Sequence, residues 1–261
     1  MPVKVVFIIS TGRTGTKALA EFFNSNFDSV AAYHQPSFSR IVNVASNLYL
    51  CGKLNGNSLH RLVRKLKKRR IEKTPEQFYI EANSLNYGVS KILREIFDNV
   101  AIIHIVRDPR TFVRSYLNWV HTRTKSYIAN KLTPFWQPSG VLTGEISKEE
   151  WDNFEEFQRV AWYWTFKNRR IEQMHEGDGG YLRLRFEDIF DKAKCETNLK
   201  GLLDFIGLPY KDNLVSFVNS KKNVSKKSYC PPFSEWSVEK KRRLYEICAP
   251  LMREYGYTIE S

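Results

Sequence analysis

The chain has no apolar run approaching the roughly 20 residues that a membrane-spanning helix needs, and its mean hydropathy is -0.44. Nor does it open with the apolar segment and small-residue cleavage site of a secretory leader; residues 3–9 already read as a strand. The expectation from both absences is a cytoplasmic protein. Cysteine is scarce: Cys51, Cys195, Cys230 and Cys248 are scattered, with no C-x-x-C pair. That spacing argues against a zinc site and for free thiols. There is no internal repeat and no low-complexity tract, which excludes solenoids and linker arrays. Acidic residues are in deficit: 28 Asp and Glu against 41 Lys and Arg leave a net charge of +13. Such a surface attracts anions, whether nucleotides, acidic or sulfated glycans, nucleic acid or an anionic membrane. The aromatic-basic motifs of nucleic-acid modules are missing, so no nucleic-acid partner is expected.

What is present is an alternation of strands and helices over 261 residues, 42% of them hydrophobic, enough for one core and one domain spanning 1–261. Strands are expected at Val3–Ile9, Ser29–Tyr33, Phe78–Ile80, Val100–Val106 and Tyr181–Phe186. Helices are expected at Thr16–Asn26, Ser39–Leu50, Leu59–Arg70, Tyr87–Phe97, Pro109–Thr122, Lys148–His175, Thr197–Phe205 and Val238–Tyr255. Lys125–Gly144 is irregular, and residues 125–150 suit a lid or an acceptor-side insertion. The implied class is α/β: three layers, a central parallel sheet and helices on both faces, with ligands beyond the carboxyl ends of the strands.

Two motifs fall at such ends. After the first strand comes Ser10-Thr11-Gly12-Arg13-Thr14-Gly15-Thr16-Lys17-Ala18, a loop opening into a helix. Unpaired N–H groups and the helix dipole make that a natural anion cradle. It is not a Walker A loop, which reads G-x-x-x-x-G-K-[ST]. Thr16 stands where the second glycine would be, and Ala18 offers no hydroxyl to magnesium. No metal is expected. The second motif is Arg107-Asp108-Pro109, with Ser115 eight residues after Arg107 on the following helix. A guanidinium and a hydroxyl so placed grip a phosphate, and Asp108 suits an N-cap.

Together these motifs resemble the sulfotransferases that use 3′-phosphoadenosine-5′-phosphosulfate (PAPS). Arg13-Thr14-Gly15-Thr16 is similar to that family's 5′-phosphosulfate loop, Arg107 with Ser115 to its 3′-phosphate site, and Tyr181–Asp188 to its late strand and acidic corner. The resemblance implies a P-loop-kinase-like fold and metal-independent sulfuryl transfer to a hydroxyl or amine, leaving PAP. It places Arg13 at the transferring sulfuryl group, Thr14, Gly15, Thr16 and Lys17 around the 5′-phosphate, and Arg107 and Ser115 on the 3′-phosphate. Lys17 departs from the Thr or Arg usual there and either adds a cation or points to solvent. The basic loop Lys221–Lys227, with Lys222 and Asn223, would close over the nucleotide, though the family's R-K-G element is missing.

Transfer also needs a base. Glu81, just after the third strand, is the first candidate. His34, at the end of the second, is another. Glu72, in an E-K-T-P run after a basic helix rather than a strand, is a weaker one. That helix, Leu59–Arg70, carries an apolar stripe at Leu59, Leu62, Val63 and Leu66 and a basic face for an anionic acceptor, a membrane surface or solvent. The acceptor is open: carbohydrate, lipid headgroup, small phenol or peptide tyrosine, with Trp119, Trp136 and Trp162 as candidate lining. The alternatives are a nucleotide-dependent kinase of related fold, against which Ala18 argues, and a non-catalytic binder of anionic glycans or nucleic acid.

Overall fold

The computed structural model describes residues 2–122, 128, 132–212, 214–215 and 228–259. Strands β1 (Lys4–Ser10), β2 (Val30–His34), β3 (Phe78–Ala82), β4 (Val100–Val106) and β5 (Tyr181–Arg185) form one sheet in the order β2-β3-β1-β4-β5. Every pairing is parallel. The connection after β1 leads to the β2 side of the sheet, whereas that after β3 crosses β1 to β4. The chain therefore winds in both directions from the centre, and the crevice lies above the carboxyl ends of β3, β1 and β4.

The strands read as continuous apolar runs because both faces are covered. In β1, Val6 and Ile8 pack with helix α1 (Thr16–Asn26) and with α9 (Cys195–Ile206). Val5, Phe7 and Ile9 face the layer of α2 (Ser39–Leu50), α3 (Gly56–Glu72) and α4 (Ser90–Ile96). A third cluster joins α5 (Pro109–Thr122), α7 (Glu156–His175) and α10 (Val238–Glu254). Period-two alternation along the strand sorts the residues between layers. All four cysteines are buried free thiols. Among the described residues no helix is long and apolar enough to cross a membrane.

Several expected bounds shift, among them that of α3, which starts at Gly56 under an Asn55 cap rather than at Leu59. The helix expected over Lys148–His175 is two, α6 (Lys148–Asn153) and α7, because Glu155 and Gln158 form a capping box that starts a new helix. The expected start at Tyr87 moves to Ser90, since Asn83 caps a short 3-10 turn at Ser84–Asn86. Phe186 leaves β5 and begins α8 (Phe186–Phe190). Strand β3 runs on to Ala82 rather than ending at Ile80, and this changes the reading of Glu81.

Candidate active site

The loop between β1 and α1 is shaped from within. Buried Ser10 Oγ accepts from the Gly12 N–H at 3.1 Å and from the Thr14 hydroxyl at 2.7 Å. Thr14 thus turns its hydroxyl onto the loop's own base. Gly15 is the N-cap residue of α1, with φ 71° and no side chain to cap it. A Cβ there would meet the Phe190 ring at 2.7 Å, so the position requires glycine twice over. The first turn of α1 holds no acidic residue, so nothing of opposite sign competes for its amide groups. Thr16 is buried at the turn. Lys17 is 63% exposed and reaches Glu21, one turn on, at 3.7 Å; its charge also acts on His34.

Arg13, at φ 56°, is one of few non-glycine residues in the left-handed region. Its Nε donates to Ser115 Oγ at 3.2 Å, and its guanidinium lies 6.0 Å from the Trp119 ring. Arg107 donates to the Arg13 carbonyl oxygen and, through Nε, to Thr111 Oγ1 at 3.0 Å. It stacks on Phe186 at 4.5 Å. Burial, followed by the neighbouring Arg13 charge, lowers the Arg107 guanidinium to about 10, so it remains a cation at neutral pH. The Asp108 carboxylate accepts the Arg110 N–H at 2.8 Å, the expected N-cap of α5, and pairs with the Arg110 side chain at 2.6 Å. Glu187 ties down the same corner through the Asp108 N–H and the Tyr257 hydroxyl. Residues 102 positions apart in sequence thus meet, Arg13 on the Ser115 hydroxyl and Arg107 on the Arg13 carbonyl oxygen.

Lys222 and Asn223 lie outside the described residues. The segment that follows them is held on α5: Asn118 Oδ1 accepts the Tyr229 and Cys230 N–H groups, both at 2.7 Å.

Glu81 lies within β3 rather than just after it. It is the fourth of five residues in β3, so its side chain points the same way as Tyr79, into the layer between sheet and α3, rather than up into the crevice. It is fully buried. Oε1 accepts from Lys67 at 2.6 Å, Asn86 at 2.7 Å and Asn83 at 2.8 Å, and Oε2 from the Tyr79 hydroxyl at 3.1 Å. Burial raises its carboxyl pKa; the Lys67 charge and the hydrogen-bond donors outweigh that and hold it below the ordinary value. Glu72 ends α3, half-exposed against Lys68 at 3.5 Å. His34, the last residue of β2, is solvent-accessible, and its Nδ1 lies 3.1 Å from the Ala82 carbonyl oxygen. A carbonyl only accepts, so Nδ1 carries the proton and Nε2 keeps its lone pair. Burial lowers the imidazole's pKa.

Beside His34, Gln35 Nε2 donates to Ser84 Oγ at 3.4 Å, and Ser84 lies 3.6 Å from the place a Gly12 Cβ would occupy. The ends of β1, β2 and β3 therefore share one mouth. Sequence reasoning missed Ser10, Ser84, Phe186 and Phe190 as parts of the site. Of the three tryptophans, Trp119 stands beside Arg13, Trp136 lines a groove along α2, and Trp162 is core, stacked on Phe166 at 4.7 Å.

The sequence matches no curated protein. Solved structures align over nearly the whole chain. The sulfotransferase domain of the Curacin biosynthetic pathway is 12% identical with TM-score 0.54, covering 99% of each chain. A mouse sulfotransferase complexed with PAP is 16% identical with TM-score 0.54, covering 96% of this chain and 85% of its own. The sulfotransferase domain of a Synechococcus olefin synthase is 16% identical with TM-score 0.55, covering 99% and 96%. At these identities the likeness is one of fold. The sulfotransferase domain model, however, matches residues 4–245, and the chain belongs to the sulfotransferase family.

Proposed function

We propose that this enzyme transfers the sulfuryl group of PAPS to a hydroxyl, with Arg13 at the reacting centre and His34 as the base. The observation that carries the reading is the meeting of Arg13, Arg107 and Ser115. One cation belongs to the loop at the α1 N-terminus and the other to the end of β4, so a nucleotide with phosphates at both its 5′ and 3′ positions spans both sites. The residues fit such a donor: uncapped amides at α1, a loop whose own hydroxyls fold it, and no acidic side chain in that first turn.

The donor supplies an activated sulfur with a phosphate leaving group. The protein's task is then positioning and charge stabilisation. Main-chain N–H groups from Gly15 to Lys17 hold the 5′-phosphate, and Thr16 stands beside them. Thr14 shapes the loop through Ser10. Arg13 exchanges its hydrogen bond to Ser115 for the equatorial oxygens and the leaving oxygen. Arg107 and Ser115 hold the 3′-phosphate, each charged hydrogen bond contributing about 1.5–3 kcal/mol. Lys222 and Asn223 follow from the family resemblance as the nucleotide's cover. As the acceptor oxygen bonds to sulfur and the sulfur–phosphate oxygen bond breaks, the acceptor proton passes to His34 Nε2. Glu81, sealed beneath the crevice, fixes β3 and the Ser84–Asn86 turn.

Thermal shift with PAP, ADP and ATP, each with and without magnesium, tests the reading. PAP alone should stabilise the protein without metal, by about 2.7 kcal/mol at a hundredfold excess over Kd. A preference for ATP with magnesium would overturn it.

A further inference from the structure

The left-handed non-glycine residues mark more than the donor loop. Among the described residues they are Arg13, Gln35, Phe38 and Phe135. Such conformations cost on the order of 1–3 kcal/mol each and persist where surrounding contacts impose them. Arg13 sits in the loop at the reacting centre; Gln35 and Phe38 line a groove leading away from it, and Phe135 precedes Trp136, which lines the groove's far part.

That groove has two joined parts. The first, about 490 Å³, is lined by Gln35, Phe38, Ile41 and Leu85 among others. It begins at the Gln35–Ser84 hydrogen bond, one residue from His34. The second, about 440 Å³, runs on along α2 between Ile41, Val44 and Leu48 and the Trp136 ring. Arg40 and Ile41 border both. The part near the mouth is about evenly polar and apolar; the far part is mainly apolar, with Arg40 and Thr133 as its polar members. Each volume lies in the range of small-molecule sites.

The far wall is built rather than incidental. Asn43 and Asn47, one turn apart on the inner face of α2, donate to the Trp136 carbonyl oxygen at 2.9 and 3.0 Å. Asn47 also donates to the Phe135 carbonyl oxygen at 2.7 Å and accepts from the Tyr87 hydroxyl. Lys167 Nζ donates to Gln137 Oε1 at 2.6 Å, and Gln137 to the Tyr116 hydroxyl at 2.9 Å. Four polar side chains from three helices thus hold three consecutive strap residues against α2. Phe38 and Ile41 remain 49% and 51% exposed on the opposite wall.

Resting on the sulfuryl-transfer reading, we infer that the acceptor is an alcohol or phenol on an apolar body, its hydroxyl at His34 and its body between Ile41, Val44 and Trp136. A polyanionic or carbohydrate acceptor does not match this lining: among the described residues Arg40 is its one charged member, with the Trp136 ring at 6.0 Å. The cations suited to a polyanion, Arg61, Arg64 and Lys65, are on the solvent side of α3, opposite buried Leu59 and Val63.

The test follows transfer of labelled sulfate from PAPS to naphthol, decanol, lactose and a heparin oligosaccharide, with PAP calorimetry on every variant. Naphthol and decanol should be sulfated. Ile41→Asp, on an exposed position, should raise KM for both by about tenfold or more, the size expected when an apolar contact gives way to a carboxylate, and leave the PAP Kd unchanged. Trp136→Ala should act in the same direction. Arg64→Glu with Lys65→Glu should alter neither. The inference is overturned if only the saccharides are sulfated, if no probe is sulfated by a protein that binds PAP, or if Ile41→Asp leaves KM for naphthol unchanged. A protein that fails to bind PAP would instead overturn the donor reading and this inference with it.

Discussion

The buried pair Lys67–Glu81 gives the most decisive perturbation, because it separates a structural carboxylate from a catalytic one. Their side chains are 7% and 1% exposed and 2.6 Å apart. Lys67→Met leaves Glu81 its three neutral donors, Asn83, Asn86 and Tyr79, but no cation. Glu81→Gln keeps an acceptor oxygen for the amides but strands the Lys67 ammonium under the Phe7 ring, 5.9 Å away. Removing one partner of a buried pair costs about 3–5 kcal/mol, a large part of the ~5–15 kcal/mol that stabilises a domain. The double variant Lys67→Met/Glu81→Gln buries no charge, and its loss should be about 1–2 kcal/mol, the size of one imperfect hydrogen bond. Urea unfolding at neutral pH should therefore find the double variant more stable than either single one. If the two losses simply add, the pair is not coupled and the reasoning fails.

The same variant reports on catalysis. If Glu81 were the base, the folded double variant would lose about 10²–10⁴ in kcat with PAP binding intact. The geometry calls for a kcat within about tenfold of the wild type, since general-base loss alone accounts for more than that. The pair also sets an acid limit on stability. Because the Glu81 carboxyl sits below its ordinary value of 4.5, its contribution is present above that pH and is lost as pH falls through the lower folded-state value. The wild type should lose stability there more steeply than the double variant.

His34→Gln should lower kcat about 10²–10⁴-fold and remove the acid limb of the pH–rate profile; in the wild type that limb lies below 6.5, because burial favours the neutral, active imidazole. Arg107→Lys retains a charge but not the paired donors of a guanidinium, and calorimetry should find PAP weakened by about 1.5–3 kcal/mol, with ADP hardly affected. Gly15→Ala places a Cβ 2.7 Å from Phe190 at φ 71°, and the melting curve should show a loss of about 1–3 kcal/mol together with weaker PAP binding.

The fold was legible because its signals are local. Apolar β-branched runs, Gly15 before α1 and Pro109 opening α5 placed most elements within a few residues. The donor motifs were legible for a related reason: each is a strand end leading into a helix, and a parallel sheet brings such ends together whatever the residues between them. For the acceptor side the sequence offered a region, residues 125–150, but no residue-level motif. The walls of the groove proposed for it come from Gln35–Ile41 and from Thr133 and Trp136, distant in sequence and joined by asparagines whose role depends on which face of α2 turns inward. Glu81 was misplaced by parity: ending β3 two residues early turned a face-pointing side chain into an end-pointing one. A corrective signal lay in α3, where Lys67 follows Leu59 and Val63 and precedes Ile71 at four-residue steps, on the helix's buried stripe. A cation on such a stripe requires a buried partner, and among the neighbouring strand residues Glu81 is the carboxylate of matching parity. Charge on an apolar stripe thus carries long-range information that motif matching does not, and here it points from Lys67 to its buried partner Glu81.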